Sequence, residues 1–418
     1  MQSSLKVASL KVASLTAASL KAAAPLAHDD RPTLIGLAPL ARKAMRGENL
    51  TGVANALLAR LKAESRDAAA LLDLSTIEQL LGASANRLAL QARALDISRT
   101  FTQAAPAPDA LRLLVLMAPG NFMANTPIEF LLEGSNIRME FFYVEAGMDI
   151  IGFAPPHDAA FVAIAESAAN QPLLSAIAEV AATWPRPLIN GAQAISRLTR
   201  DGSWRLLHDI PGLVYPRNEK LSRSEAAAAD DFPLIMRPVD SHAGEGLEKI
   251  DDEAALAAYL ARHGEDYFYS APFVDYRGGD RLFRKLRVAV IDGAPFAVHL
   301  AISPRWMIHY LNADMIENVA NRAEEARFLA AFDDFAQRHA QTFATMREKL
   351  DLDYFQIDCA EIDDGKLLVF EVGSAMIAHD LDDPRLFPYK SAPMQTLFDA
   401  FRAMIFSRVA LATGRAPA

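Results

Sequence analysis

Cross-linking residues, membrane-length apolar runs and excess positive charge are all missing from this chain. Cys359 is the single cysteine among 418 residues, which excludes an intrachain disulfide framework and a cysteine-rich zinc site. No run of about 18 apolar residues occurs, so no membrane-spanning helix is expected. His309 and His379 have no partner histidine at metal-ligand spacing, which argues against zinc. Lys and Arg total 42 against 52 Asp and Glu, a net charge of −10. That balance argues against nonspecific nucleic-acid binding through phosphates. What remains is ordinary for a globular protein, 51% hydrophobic and 22% charged. The length predicts two or three domains. A reducing, cytoplasmic setting fits the cysteine usage.

The chain divides by pattern into four stretches. Residues 1–30 carry no acid before Asp29 and repeat every five residues through Leu5, Leu10, Leu15 and Leu20, with Lys6, Lys11 and Lys21. A five-residue period drifts around a helix and builds no fixed apolar face, so a low-complexity tail without stable structure is expected. There is no continuous apolar segment for a secretory signal. Residues 31–105 read as a helical module: Leu50, Val53, Leu57, Leu58 and Leu61 keep amphipathic spacing, as do Leu71, Leu74, Ile77 and Leu81. A linker is expected at Ala104–Asp109, with Pro106 and Pro108.

Residues 110–210 alternate short buried strands (Leu111–Met117, Arg138–Val144, Ala160–Ile164, Pro187–Asn190) with helices such as Leu173–Trp184, which predicts a mostly parallel α/β sheet. Asn121, Asn125 and Asn190 fall at strand ends, where such sheets collect ligands, though turn or core roles account for them better. Residues 211–415 change character. Strands at Pro233–Arg237, Tyr267–Val274, Leu286–Ile291 and Ala297–Ile302 are connected largely by hairpins, and one helix is expected over Ala323–Leu350. This is an α+β domain on an antiparallel sheet.

Chemistry concentrates in the last stretch. Gln356-Ile-Asp-Cys359 and Val369-Phe-Glu-Val372 flank the turn Asp363-Asp-Gly365, so Asp358 and Glu371 face one spot from paired strands. Two close carboxylates need a cation or a shared proton, and oxygen ligands suit Mg²⁺; a surface hairpin with ordinary acids is the alternative. Arg237 precedes a turn with Gly244 and Gly246, which serves either a phosphate or a simple hairpin. Tyr269–Asp275 reads as an edge strand leading to a linker, able to pair with an adenine. Lys285 and Arg287 share a strand face, and an inward Arg287 needs an anion, either a protein carboxylate or a phosphate.

The order of glycine turn, hinge, arginine-bearing strand, asparagine-bearing turn (His309-Tyr-Leu-Asn312) and acidic hairpin resembles the ATP-grasp superfamily. Glutathione synthetase-like carboxylate–amine ligases are the nearest in kind, and the likeness spans roughly residues 110–390. The segment Pro187–Asp201 is similar to the one joining the pre-grasp domain to the grasp domain. The resemblance implies a multidomain α/β and α+β fold: a Rossmann-like pre-ATP-grasp domain over 110–210 and an ATP-grasp domain over 211–415, after the helical module.

Carried over by position, the resemblance puts phosphate-binding cations at Arg200 and Arg237, where the family has lysine. It places Gly244 and Gly246 in the loop over the phosphates, the adenine hinge at Ala271–Val274 with Phe273, and ribose contact at Asp275. Lys285 would face the nucleotide, and Arg287 and Arg237 would be catalytic. Mg²⁺ would lie between Asp358 and Glu371. The third ligand of the family is an asparagine two residues after the glutamate; Gly373 stands there, beside Ser374, leaving Asn312 to supply an oxygen.

The implied activity is an ATP- and Mg²⁺-dependent, ADP-forming ligase. It would activate an amino-acid or peptide carboxylate as an acyl phosphate and join it to an amine or other nucleophile. A nucleotide-binding protein without ligase activity and a phosphotransferase are the alternatives. The resemblance further implies a homodimer acting without membrane or nucleic acid, with the helical module open to a peptide or protein acceptor.

Overall fold

Leu111-Arg-Leu-Leu-Val-Leu-Met117 is apolar on both faces, and its side chains are buried above and below the sheet it forms. In the computed structural model, which describes residues 31–82, 86–103, 107, 110–239, 241, 244–308, 310 and 313–414, this strand lies inside a six-stranded sheet. The expected tail, all of the linker but Ala107, and His309 and Asn312 fall outside the described residues.

The strands of the first sheet are β1 (Thr33–Leu34), β2 (Thr100–Gln103), β3 (Leu111–Met117), β4 (Ile137–Tyr143), β5 (Ala159–Val162) and β6 (Leu188–Ile189), in the order β1-β2-β4-β3-β5-β6. All neighbours are parallel except β2 and β4. Helices α1 (Leu37–Met45), α2 (Leu50–Ala63), α3 (Ala68–Leu80) and α4 (Arg87–Ile97) lie between β1 and β2. The expected helical module is therefore an excursion of the first sheet. Its leucines Leu57, Leu71 and Leu74 share one core with Phe101, Val115 and Phe141.

After a short β7 (Leu213–Val214) comes a four-stranded antiparallel sheet of β8 (Glu219–Ser222), β9 (Leu234–Pro238), β10 (Glu248–Ile250) and β11 (Tyr267–Pro272), ordered β10-β9-β11-β8. Tyr259 and Phe268 centre its small core. The third sheet combines β12 (Phe283–Ile291), β13 (Ala294–Ser303), β14 (Tyr354–Glu361) and β15 (Leu367–Gly373) with β7, ordered β13-β12-β14-β15-β7. The single helix expected over Ala323–Leu350 is three: Val319–Ala330, Phe332–Arg338 and Ala340–Leu350. Neither break, at Ala331 or His339, holds a glycine or proline. Packing, rather than a breaker residue, bends the segment.

Three devices tie the first sheet to the third. Asn190, with a left-handed φ of 56°, brackets Tyr354: its Nδ2 donates to the Tyr354 carbonyl and its Oδ1 accepts the Tyr354 N–H, each at 2.8 Å. The Thr126 hydroxyl donates to the Ser374 carbonyl at 2.9 Å. The helix Ser391–Thr413 places Phe401 edge-on to both Phe161 and Tyr354, at 5.7 and 5.0 Å between ring centroids.

The excursion is pinned by two acids at the start of α1. Asp73 accepts the Ile35 and Gly36 N–H groups at 2.9 and 3.1 Å. Glu129 accepts the Ala38 N–H at 3.0 Å and Gln103 Nε2 at 3.2 Å. Gly36 has φ 92°, and a Cβ there would collide with Gln103 and Glu129. Burial pushes Asp73 up to about 6 and Glu129 up to about 7, against the pull of those N–H groups. A carboxyl whose pKa rises on folding binds its proton more tightly in the native state, so stability is lost as pH rises through the folded value. For Asp73 the difference is worth about 3 kcal/mol. Urea midpoints between about pH 4 and pH 8 should fall more steeply in the wild type than in Asp73→Asn. Parallel profiles would show that Asp73 titrates in the native state as it does in the unfolded chain.

Candidate functional site

The acidic hairpin forms as its sequence suggests: β14 and β15 are antiparallel, and Asp358 stands directly opposite Glu371. Asp358 is also opposite Arg287, which is opposite His299, so one row of side chains crosses four strands on a single face.

The two acids are neutralised differently. Asp358 is buried. Arg287 forks onto it, Nε to Oδ1 at 2.7 Å and NH2 to Oδ2 at 3.0 Å, and Lys285 Nζ adds 2.9 Å to Oδ2. Burial alone would raise its pKa; Arg287 and Lys285 overcome that and hold it well below the usual carboxylate range. The anion that an inward Arg287 requires is thus a carboxylate of this chain. Glu371, with 45% of its side chain exposed, pairs with Arg200 NH2 at 2.9 Å. Arg200 opens the helix Arg200–Leu207, capped by Thr199, whose hydroxyl accepts the Gly202 N–H.

Among the described residues, Arg237 has no carboxylate partner. It sits on β9, buried, and there donates to Ser241: Nε to Oγ at 3.0 Å and NH2 to the carbonyl. Burial, and then the charge of Arg200, lowers its pKa to about 10. Two neighbouring guanidinium groups with one partly exposed carboxylate between them leave positive charge unspent, and buried charge of this kind calls for an anion.

Arg200, Arg237, Ser241 and Glu371 line one cleft of about 260 Å³ where the three sheets meet. Glu166 and Gln171 wall it from the first sheet, Lys220 and Tyr269 from the second, and Gly373 to Met376 from the third. Of the residues expected to meet a nucleotide, Arg200, Arg237 and Glu371 come together here. Gly244, Gly246, Ala271, Phe273, Val274, Asp275, Lys285, Arg287 and Asp358 do not line the cleft.

The glycine turn closes the β9–β10 hairpin. Gly246 has φ 62°, a Cβ there would meet Pro238 Cδ at 2.7 Å, and its carbonyl accepts from Tyr259. Strand β11 is an inner strand over Tyr267–Ser270, between β8 and β9. Ala271 and Pro272 run past β8 and keep one edge open, while the Phe273 N–H is spent on Pro233. The Asp275 carboxylate is held by Arg277 at 2.9 Å. All three strand-end asparagines bond to main chain: Asn121 to Met123, Asn125 to Ala118 and Asn190 to Tyr354.

Sequence reasoning missed several polar groups at the site. Ser241, four residues after Arg237, was within reach of a loop argument. Ser374 stands out in the sequence only as the neighbour of Gly373, and Gln356 not at all: Gln356 stands opposite Gly373, and Gln356 Oε1 and Ser374 Oγ are buried without a hydrogen-bond partner among the described residues. The divalent cation that the sequence resemblance implies would meet Asp358 and Glu371 facing each other, but Asp358 already accepts from three donors. Among the described residues, no group of three His, Cys, Asp or Glu could hold a metal. The acids fit a cation that also draws ligands from a bound anion.

Two variants separate these charges. Asp358→Ala would strand Lys285 and Arg287 in the interior, with an expected loss of about 3–5 kcal/mol in urea unfolding. Arg237→Met removes a buried cation that pairs with no carboxylate among the described residues, so stability should hold within about 1 kcal/mol, while any affinity for pyrophosphate should be lost. Equal destabilisation by both variants would show that Arg237 is structurally paired after all.

No family model matches the chain, and no curated protein matches it. Among solved structures, it is similar to the D-alanine–D-alanine ligase of Bacillus anthracis, complexed with ATP, at 16% identity and TM-score 0.44 over 73% of this chain and 100% of that one. The VanG D-Ala:D-Ser ligase of Enterococcus faecalis matches at 11% identity and TM-score 0.44, over 71% and 99%. A RimK domain ATP-grasp protein of Sphaerobacter thermophilus matches at 17% identity and TM-score 0.39, over 69% and 98%. These likenesses are of outline, and the chemistry of the cleft rests on its own residues.

Proposed function

We propose that the cleft binds ATP and that the protein is an ADP-forming ligase. In this reading it activates a carboxylate of the amino-acid or peptide class and transfers the acyl group to an amine. The observation that carries the reading is Arg237, a buried guanidinium paired with no carboxylate among the described residues, set beside Arg200 in a cleft closed by three sheets. A polyphosphate supplies the missing negative charge. Arginine forks suit phosphate oxygens.

The chemistry follows from placement. A substrate carboxylate oxygen attacks the γ-phosphorus; the bond from that phosphorus to the bridging oxygen breaks, and ADP leaves. An amine then attacks the acyl carbon, phosphate departs, and the amine proton goes with it. Arg237 and Arg200 neutralise charge on the phosphates, and Lys220 adds a third cation from β8. The open edge at Ala271–Pro272 offers main-chain groups to the base. Asp358 and Glu371 would hold Mg²⁺, which would supply neutralisation of phosphate charge. Arg287 and Lys285 fix Asp358 in register with Glu371, a positioning role. Asn312 remains a proposed third oxygen donor. The cytoplasm as its setting and a homodimer belong to the same reading.

A second reading, nucleotide binding without ligation, is favoured by one observation: Asp358 is committed to Lys285 and Arg287, leaving Glu371 as the freer acid. Titration calorimetry with ATP and Mg²⁺, together with an ADP-release assay over carboxylate and amine pools, distinguishes the two. Carboxylate-dependent ADP release supports the ligase; ATP binding without it supports the second reading, and no ATP binding overturns both. Glu371→Gln should lower Mg²⁺-dependent turnover by about 100-fold or more. Turnover near the wild-type rate would remove Glu371 from the metal site.

A further inference from the structure

A second cavity, of about 80 Å³, lies on the other side of the segment Asn121–Thr126 from the cleft. The helical excursion and the first sheet build it jointly. Asp73 and Gln79 enter from α3, Glu129 from the helix Ile128–Leu132, and Tyr143 from the end of β4; Leu72 and Phe141 supply apolar wall. From this geometry we infer that the cavity is a binding site for a small primary ammonium group carrying a short alkyl chain.

Three observations converge on that chemistry. First, the two acids have no cation. Neither Asp73 nor Glu129 forms an ion pair among the described residues, and the fork of Arg60, which acts on Asp73 from a distance, is spent on Asp67. Their bonds to main chain and to Gln103 leave further lone pairs on each carboxylate. Second, the side chain of Tyr143 is more than nine-tenths buried, and its hydroxyl makes no hydrogen bond among the described residues while facing both acids. Third, Gln79 Oε1 is buried without a partner. The lone pairs left on the two carboxylates, on Gln79 Oε1 and on the Tyr143 hydroxyl are all acceptors. The occupant that satisfies them donates several hydrogen bonds, carries positive charge and is only a few atoms long.

An ammonium group has three N–H donors and no acceptor. A divalent metal fits worse, because no group of three metal-ligating side chains gathers among the described residues. The apolar wall at Leu72 and Phe141 suits a short hydrocarbon stem rather than a bare hydrated ion. The site does not depend on the nucleotide reading, since none of its polar groups lines the cleft.

The test uses the full chain without nucleotide, at about pH 8, where both acids are ionised. Methylammonium chloride is titrated by calorimetry and by thermal unfolding, with sodium chloride and tetramethylammonium chloride at matched ionic strength. Saturable binding of methylammonium alone is expected, weakened about tenfold or more in Tyr143→Phe and in Gln79→Met, each of which removes one buried polar group. Three results would overturn the inference: no saturable binding, an equal response to sodium or tetramethylammonium, or binding unchanged in both variants. The first of these would mean that water fills the cavity. Because the readout contains no ATP, failure here leaves the reading of the cleft standing.

Discussion

The clamp of Arg287 and Lys285 on Asp358 is the contact on which the site's geometry depends. A lone ionised carboxylate in a sheet interior is costly, and so is a lone guanidinium; together they hold the side chains of two strands in one arrangement. The clamp spans β12 and β14, so it fixes their register where the charged row crosses the sheet. Glu371 then inherits its place from Asp358 across β15, and Arg200 inherits its place from Glu371. Arg237 stands outside this chain of pairings, with no carboxylate on it among the described residues.

At the cleft, elements distant in sequence are held together by polar pins as well as by two apolar cores that each take side chains from the first and third sheets. Asn190 bracketing Tyr354 and Thr126 bonding Ser374 are side-chain-to-main-chain contacts across sheets. Such bonds define a separation to within tenths of an ångström, whereas apolar packing tolerates sliding. The floor of the cleft, Gly373 to Met376, is therefore positioned from the first sheet as well as from its own strand.

Much of the architecture was legible in the residues. The apolar runs at Leu111–Met117 and Arg138–Val144 became β3 and β4 with bounds nearly unchanged, and the turn at Gly365 joined two strands with Asp358 opposite Glu371. Alternation and turn chemistry are local, so a sequence carries them openly. What neutralises Asp358 was not legible, because Lys285 and Arg287 look the same whether they serve a carboxylate or a phosphate. The asparagines were ambiguous for a like reason: an amide binding main chain and one binding a ligand share a spelling. The placement of β11 as an inner strand depended on β8, whose residues Glu-Lys-Leu-Ser carry too little apolar pattern to mark a strand. The breaks at Ala331 and His339 carry no breaker residue, and nothing local announces them.

The excursion between β1 and β2 has a consequence for what this chain can lose. Those two short strands cover the hydrogen-bonding flank of β4, with Phe101 paired to Phe141. A chain beginning after the proline-bearing connection near residue 107 would keep β3 to β6 but bare that flank, together with the underside of a core that leucines of α2 and α3 otherwise fill. An uncovered strand edge beside exposed aromatic residues is a template for pairing with another molecule. The boundary between helical and α/β segments, plain as it is in the sequence, is therefore a poor place to cut.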